Sequence, residues 1–251
     1  MKKAKEKVNA AIVIIGNEIL SGRTQDVNVV TISTWLNSLG VKLEEVRVIP
    51  DDQKIIVNTI NIMKKNFSYI FTTGGIGPTH DDITSKSIAK AFNLTYGFHD
   101  KAYALLKKYY GKEKFNSGRQ KMAKMPKTAS LILNPSSGAP GFFVENVFCL
   151  PGVPSILKSM LGGLNNKIKG GKKILSKTIT LRTVESEIAK SLEKIQNRYK
   201  KVEIGSYPFF KQGKIGVSIV IRSTIEKLIF NCEKDIKNIV KKKNIKIIGY
   251  L

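Results

Sequence analysis

The first third of this 251-residue chain alternates two kinds of hydrophobic pattern. "AAIVIIG" (10–16) is a continuous β-branched run ending at glycine, the pattern of a strand buried on both faces. In "DVNVVTISTWLNSLG" (26–40), Val29, Ile32, Leu36 and Leu39 have helical spacing, and Gly40 is a natural C-terminal stop. "VKLEEVRVI" (41–49) predicts a second strand. "DDQKIIVNTINIMKKN" (51–66) predicts a helix with acidic residues in its first turn and lysines in its last, which suits the helix dipole. "YIFTT" (69–73) predicts a third strand. Strand–helix–strand–helix–strand implies an α/β sandwich around a parallel sheet, with ligands beyond the strand C-termini. Loops 16–26 and 74–82 both follow strands, so both belong at that edge.

From 81 to about 123 the pattern predicts mostly helix. The segment 131–160 is rich in glycine and proline turns. It holds a predicted hairpin, "GFFVENVFCL", with a Glu-Asn turn, then "PGVPS" and a short helix. Loops of this composition carry binding groups more often than core. Polar "LNNKIKGGKK" (164–173) reads as a linker. The remainder reads strand, helix, strand, strand, helix, strand, the βαββαβ order of a ferredoxin-like unit. Domains are therefore expected at 1–168 and 172–251. In "GKIGVSIVIRS", alternation assigns Ile215, Val217, Ile219 and Ile221 to the core face, and Gly216, Ser218, Val220 and Arg222 to the free face. The second unit has no carboxylate pair or glycine-phosphate loop, so it is expected to mediate self-association or to close over the first unit's pocket, with "GSYPFF" (205–210) as apolar contact.

Charge changes this picture little. Lys+Arg total 43 against 19 Asp+Glu, a formal +24. The lysines are spread along the chain and arginines are few, which favours compositional drift over a nucleic-acid footprint. Cys149 and Cys232 lie far apart and outside any CxxC, as expected of buried reduced thiols in a cytoplasmic protein. The N-terminal stretch lacks a signal-peptide cleavage pattern, and no run reaches the roughly 18 apolar residues of a membrane span.

The candidate chemistry lies in "TTGGIGPTHDD". Glycines before a helix start usually mark a phosphate site, because free N–H groups and the dipole favour an anion. Asp81 and Asp82 would repel that anion. One reading is structural: Thr79 as N-cap and Asp82 three residues on form a capping box. The glycines Gly74, Gly75 and Gly77, with Pro78, ask for more, and suggest a loop cleared for close backbone approach. The readings combine if a divalent metal, Mg²⁺ or a transition metal, bridges the aspartates and a phosphate. In the second loop, "GNEILSGRTQDVN", Glu18 or Asp26 could face the same ligand, with Asp26 alternatively a helix cap. His80 is expected to be exposed and passive, and His99 to cap a helix or face solvent. No GxSxG, Walker A or GxGxxG sequence is present, which argues against triphosphate hydrolysis and a dinucleotide fold.

These stretches, with "NPSSGAPGF", "LPGVPS", "ESEIA" and "GSYP", match in order the motifs of the N-terminal region of competence/damage-inducible protein A. The chain thus resembles that family, and also the molybdopterin-binding-type domain attached to eukaryotic FAD synthase, from about residue 8 onward. The resemblance implies a molybdopterin-binding, MogA/MoaB-like three-layer α/β domain followed by a small α+β ferredoxin-like domain. It carries over onto Glu18, Asp26, Gly74, Gly75, Gly77, Thr79, Asp81, Asp82, Asn134, Gly141 and 151–154, the last including Gly152. Two departures stand out. The family usually has glycine near Ser137, and Ile156-Leu157 stand where the family has an acidic residue and methionine. The nicotinamide-mononucleotide deamidase activity of longer relatives is not expected.

The leading expectation is a metal-dependent hydrolase of nucleotide diphosphate linkages, an ADP-ribose or FAD-like pyrophosphatase. Asp81 and Asp82 would hold metal, Glu18 or Asp26 would position water, and Gly74, Gly75, Gly77, Pro78, Thr79, Asn134, Gly141 and Gly152 would bind ligand. The alternatives are a molybdopterin-binding or cofactor-biosynthesis protein using the same pocket, and a non-enzymatic nucleotide-ligand binding module. The expected partners are an anionic nucleotide-like or pterin phosphate ligand and a second copy in a homodimer, without membrane or nucleic acid.

Overall fold

The computed structural model describes residues 8–211 and 213–250, which fall into two compact units meeting at Gly171 and Lys172. The first unit runs β1 (Asn9–Ile15), α1 (Asn17–Leu20), α2 (Asn28–Ser38), β2 (Lys42–Ile49), α3 (Gln53–Asn66), β3 (Tyr69–Thr73) and α4 (Thr84–Ala91). It continues through β4 (Tyr96–Phe98), α5 (Asp100–Lys114, broken at Gly111), α6 (Ser117–Lys121), β5 (Lys124–Pro126), β6 (Ser130–Ile132), β7 (Gly141–Val144), β8 (Val147–Leu150) and α7 (Pro154–Leu161).

Six strands form one sheet in the order β2-β1-β3-β8-β7-β6. Pairs β1–β2, β1–β3 and β3–β8 are parallel, while β7 adds to β8 and β6 to β7 antiparallel. Alternate residues of β1 enter two separate cores. Ala11, Val13 and Ile15 join residues of α3, α4 and α5 on one face, while Ala10, Ile12 and Ile14 join those of α2 and α7 on the other. That is why the strand sequence is apolar throughout rather than alternating. The result is the MogA-like three-layer domain. The chain leaves β1 for β2 on one side and reaches β3 on the other, so a topological switch point lies between β1 and β3. Ligands of open α/β sheets collect beyond the strand C-termini at such a point.

The region expected to be helical from 81 to 123 departs from that reading. β4 pairs with β5 in a separate two-stranded antiparallel sheet. At three residues, each strand is too short to show a period against the helices around it.

The second unit runs β9 (Leu175–Arg182), α8 (Glu185–Arg198), β10 (Glu203–Lys211), β11 (Lys214–Ser223), α9 (Glu226–Lys242) and β12 (Lys246–Tyr250). Its antiparallel order, β10-β11-β9-β12, is that of a ferredoxin-like sheet. Val217, Ile219 and Ile221 are fully buried with Ile179 and Leu181 under α8 and α9. Ile215 departs from the expected alternation: it is 53% exposed, because it lies near the tip of the β10–β11 hairpin, opposite the exposed Phe210 and outside the core cluster under the helices. No helix among the described residues is long and apolar enough to cross a membrane.

Candidate functional site: a glycine-loop cavity at the switch point

The chain leaves β3 at Gly74, whose N–H donates to the Leu150 carbonyl at the end of β8 (3.1 Å). The Gly74 carbonyl accepts from the Thr84 hydroxyl (3.0 Å), and the Gly75 carbonyl from the Thr84 N–H (2.9 Å). Gly74 has φ +96°, and a Cβ there would lie 2.2 Å from the Ile15 carbonyl oxygen. Gly75 has φ +68°, and its Cβ would lie 2.2 Å from the Thr84 hydroxyl. The close approach expected of this loop is therefore to the protein itself, to β1 and the first residue of α4. Among the described residues, the N–H groups of Gly75, Ile76 and Gly77 have no hydrogen-bond partner.

Thr79 and Asp82 make the expected reciprocal pair, but not at a helix start. The Asp82 carboxylate accepts from the Thr79 N–H (2.7 Å) and hydroxyl (2.5 Å), while α4 begins only at Thr84. The pair closes a turn that fixes Asp82 before the helix. The Thr79 hydroxyl and the backbone N–H of Asp81 itself hold the exposed Asp81 carboxyl below the ordinary carboxylate range; His80 and Lys121 add to this. Lys121 also donates to the Thr79 carbonyl, tying α6 to the loop. His80 is exposed. His99 caps α5 by accepting from the Ala102 N–H, and its other ring nitrogen meets the Ala129 carbonyl at 3.0 Å.

A cavity of about 520 Å³ opens beside this loop. The loop wall runs from Gly74 to Pro78 and includes Asp82. The opposite wall comes from Pro140, Pro151, Val153 and Ile156, with Met122 from the end of α6. Pro154 occupies the first turn of α7, where its missing N–H costs nothing, and that turn carries no acidic residue. The N-terminal end of this helix therefore presents a partial positive charge to the cavity, next to the loop amides. Among the described residues, no Lys, Arg or His lines the cavity.

Glu18 lines it as well, from the short helix after β1. Asp26 does not. One of its oxygens caps α2 by accepting from the Val29 N–H (2.9 Å), and it borders a second, smaller cavity instead. Asp81 is exposed and also outside the main lining. Asn134 lines the cavity, but its side chain is committed. It accepts from the Ser136 and Ser137 N–H groups and donates to the Ser137 hydroxyl and Ala139 carbonyl, shaping the loop that carries Ser137 and Ala139. Gly141 is a packing residue of β7, where a Cβ would lie 2.5 Å from the Cys149 carbonyl. Gly152 lines both cavities.

Asp51 was not among the expected site residues. It follows β2 at the same sheet edge, and one of its oxygens accepts from the Asn17 N–H (2.9 Å). Burial raises its carboxyl above the ordinary value, against the Asn17 hydrogen bond, and the negative charges of Glu18, Asp81 and Asp82 raise it further. The rule that singled out the loops after the first and third strands, applied to the second, leads to Asp51. Thr24, Ile76 and Ser137 line the cavity from within the sequence motifs although none was expected to bind, and Met122 lines it from outside any motif. Among the described residues no three Asp, Glu, His or Cys side chains are grouped to hold a metal ion. The two carboxylates in the lining are hard oxygen donors, which fit a cation that takes its other ligands from phosphate and water.

Residues 11–169 match the family described as "Probable molybdopterin binding domain". The chain belongs to this family. Residues 173–247 match the family described as "FAD synthase, middle domain". A protein of Archaeoglobus fulgidus is 32% identical over 197 residues, 78% of this chain and 84% of the relative. A CinA-like protein of Prochlorococcus marinus is 31% identical over 251 residues, and the match spans 94% of this chain but 57% of that protein. The crystal structure of CinA from Thermoplasma acidophilum, a protein of unknown function, superposes with a TM-score of 0.60 at 32% identity, covering 63% of this chain and 96% of that one. The first unit is thus a CinA-like, molybdopterin-binding-type domain.

Proposed function

We propose that the main cavity binds the phosphate ester of a planar heterocycle, of the molybdopterin or pterin phosphate kind or an adenine nucleotide. The observation that carries this reading is the presence of two unlike kinds of lining in one cavity. Unpartnered amides of the glycine loop and the N-terminus of α7 are donors suited to a phosphate. Pro78, Met122, Pro140, Pro151, Val153 and Ile156 give the same cavity apolar surface suited to a ring. The family description supports the pterin form, and the match of the second unit to an FAD synthase domain supports the nucleotide form.

A second reading, metal-dependent hydrolysis of a diphosphate linkage, rests on Glu18 and Asp82 sharing the lining. Those carboxylates would hold the cation, which would supply charge neutralisation at the phosphates. The loop amides would orient the diphosphate, and the apolar walls would limit water.

Ile156→Glu and Ile156→Gln test the binding reading together. Both lose the same apolar wall, and only the first adds a negative charge at the helix N-terminus. Calorimetric titration with ADP-ribose and with 6-hydroxymethylpterin phosphate should show binding at least tenfold weaker in the glutamate variant than in the glutamine variant. Equal affinities would place the phosphate elsewhere. Release of AMP from ADP-ribose with Mg²⁺ or Co²⁺, lost in Asp82→Asn, is expected only on the hydrolase reading.

A further inference from the structure

The sheet of the second unit has two unlike faces. α8 and α9 cover one, where Ile179, Leu181, Val217, Ile219 and Ile221 are buried. On the other, Gly205, Tyr207 and Phe209 of β10 lie opposite Val220, Ser218 and Gly216 of β11. Thr178 and Thr180 of β9 continue that face beside Val220 and Ser218, and Arg222, Arg182 and Lys246 border it. None of these residues belongs to the core under the helices. Two glycines shape the face. A Cβ on Gly205 would lie 2.6 Å from the Tyr207 ring, and one on Gly216 would lie 2.4 Å from the Phe209 ring. Both rings therefore lean over bare backbone instead of standing away from the sheet. Tyr207 remains 47% exposed, so its ring meets the sheet on one side and solvent on the other.

Positive charge surrounds the rings. The Arg222 guanidinium stands 6.0 Å from the Tyr207 ring centre and donates to its hydroxyl (3.3 Å). Arg182 and Lys246, exposed partners across β9 and β12, extend the charge to the far strand. The four strands together carry one carboxylate, Glu203, which lies 3.9 Å from Arg222. Between the rings and the cations, half-buried Thr178, Thr180 and Ser218 supply hydroxyls. Lysines spread along the chain do not by themselves indicate a partner; rings, arginines and hydroxyls gathered on one open sheet face do. Unpaired bases offer π-faces to the rings, and the phosphates that link them suit the arginines. In RNA a 2′-hydroxyl, both donor and acceptor, suits the side-chain hydroxyls. A second copy of the chain fits poorly, because an isologous contact through this face would bring two positively charged surfaces together.

We propose that the open sheet face of the second unit binds single-stranded RNA. Tyr207 and Phe209 stack on successive bases, Arg222 and Arg182 neutralise phosphates, and the hydroxyls of Thr178, Thr180 and Ser218 meet the ribose. Stacking on aromatic side chains tolerates every base, so the face recognises unpaired RNA and not a particular sequence. The proposal uses no residue of the phosphate-ester cavity, and either reading can fail without the other.

The test is fluorescence anisotropy of the full chain with labelled oligo(U) RNA of about 12 nucleotides, its oligo(dU) counterpart and an RNA duplex, at physiological salt. The wild type should bind oligo(U) about fivefold or more tightly than either of the others. Tyr207→Leu should weaken oligo(U) binding about tenfold, and Tyr207→Phe, which keeps the ring, should bind like the wild type. Arg222→Gln should weaken binding and lower the slope of log affinity against log salt by about one. Lys190→Gln combined with Lys194→Gln removes two exposed charges from α8, on the covered side of the sheet, and should cost less than about twofold. A loss there as large as in Arg222→Gln would reduce the binding to diffuse charge and overturn the proposal. So would equal affinity for the duplex, equal affinity for oligo(dU), unchanged binding by Tyr207→Leu, or no binding at physiological salt. Sedimentation in which Tyr207→Leu turns a dimer into a monomer would give the face to a second copy and also overturn it.

Discussion

Asn28 in the first unit and Glu233 in the second are both buried polar side chains, 4% and 3% exposed, and they are treated oppositely. The Glu233 carboxylate meets Lys177 at 2.6 Å on one oxygen. On the other it forms an ion pair with Lys237 at 2.7 Å, short in distance though outside hydrogen-bond geometry. Burial opposes its ionisation, but the two ammonium groups outweigh burial and hold the carboxyl below its ordinary value. Asn28 keeps one polar atom paired and leaves the other without a partner. Glu233 spends its polarity on joining α9 to β9, whereas Asn28 leaves part of its own beside a cavity. An unpaired buried acceptor costs about 1–3 kcal/mol. The first unit bears such a cost at the switch point of its sheet, where function concentrates; the second unit bears one at the Ser206 hydroxyl on β10 but pairs its buried charge.

The largest effect should come from the wall between the two cavities. Gly74→Ala forces a Cβ to within 2.2 Å of the Ile15 carbonyl at φ +96°. It should destabilise the first unit by about 3–5 kcal/mol. Hydrogen exchange should show β1 and β3 losing protection while β9 and β11 keep theirs. Equal loss in both units would mean that they do not unfold separately, and the comparison between them would lose its basis.

Glu233→Gln should cost less, about 1–3 kcal/mol in the second unit, since both lysines are partly exposed and can return to water. The wild-type carboxyl titrates below its unfolded value of 4.5. Its contribution to stability is therefore present above that value and lost as pH falls through the lower folded one. Urea unfolding of wild type and variant should differ at pH 7, and the difference should shrink as pH falls below 4.5. A constant difference would detach the effect from the ion pair.

Asp51→Asn should have the smallest effect and the opposite sign. The Asp51 carboxyl is raised above 3.8 in the folded chain, chiefly by burial. The native state then holds its proton more readily than the unfolded chain, so stability falls as pH rises through that interval. Asparagine can still accept from the Asn17 N–H without the charge. Its unfolding midpoint should rise by about 1–3 °C at pH 7 and match the wild type at pH 3. A fall at pH 7 would show that the neighbouring carboxylates do not burden this residue.

The layers of the first unit and the βαββαβ unit could be read from strand and helix periods, because β1 and β11 each obey a single packing rule along most of their length. The ends were not legible. Ile215 alternates correctly and still faces solvent, because the period says nothing about where the covering helices stop. The glycine loop was found by composition, yet the reason for Gly74 and Gly75 is long-range: the Ile15 carbonyl and Thr84 lie against them only in the folded chain. Asn134 shows the same limit from the other side, since its four hydrogen bonds to residues 136–139 are visible only in three dimensions. Nothing in the sequence sets Asn28 apart from its polar neighbours; the burial of its amide oxygen without a partner is visible only in the folded chain.

Methyl NMR of the full chain during titration with ADP tests the central claim most directly. The account predicts that resonances of Met122 and Ile156, on the walls of the main cavity, shift in a saturable way. Those of Ile188 and Ile236, in the core of the second unit, should stay in place. Shifts confined to the second unit, or none at millimolar ADP, would contradict the assignment of a phosphate-ester site to the glycine-loop cavity.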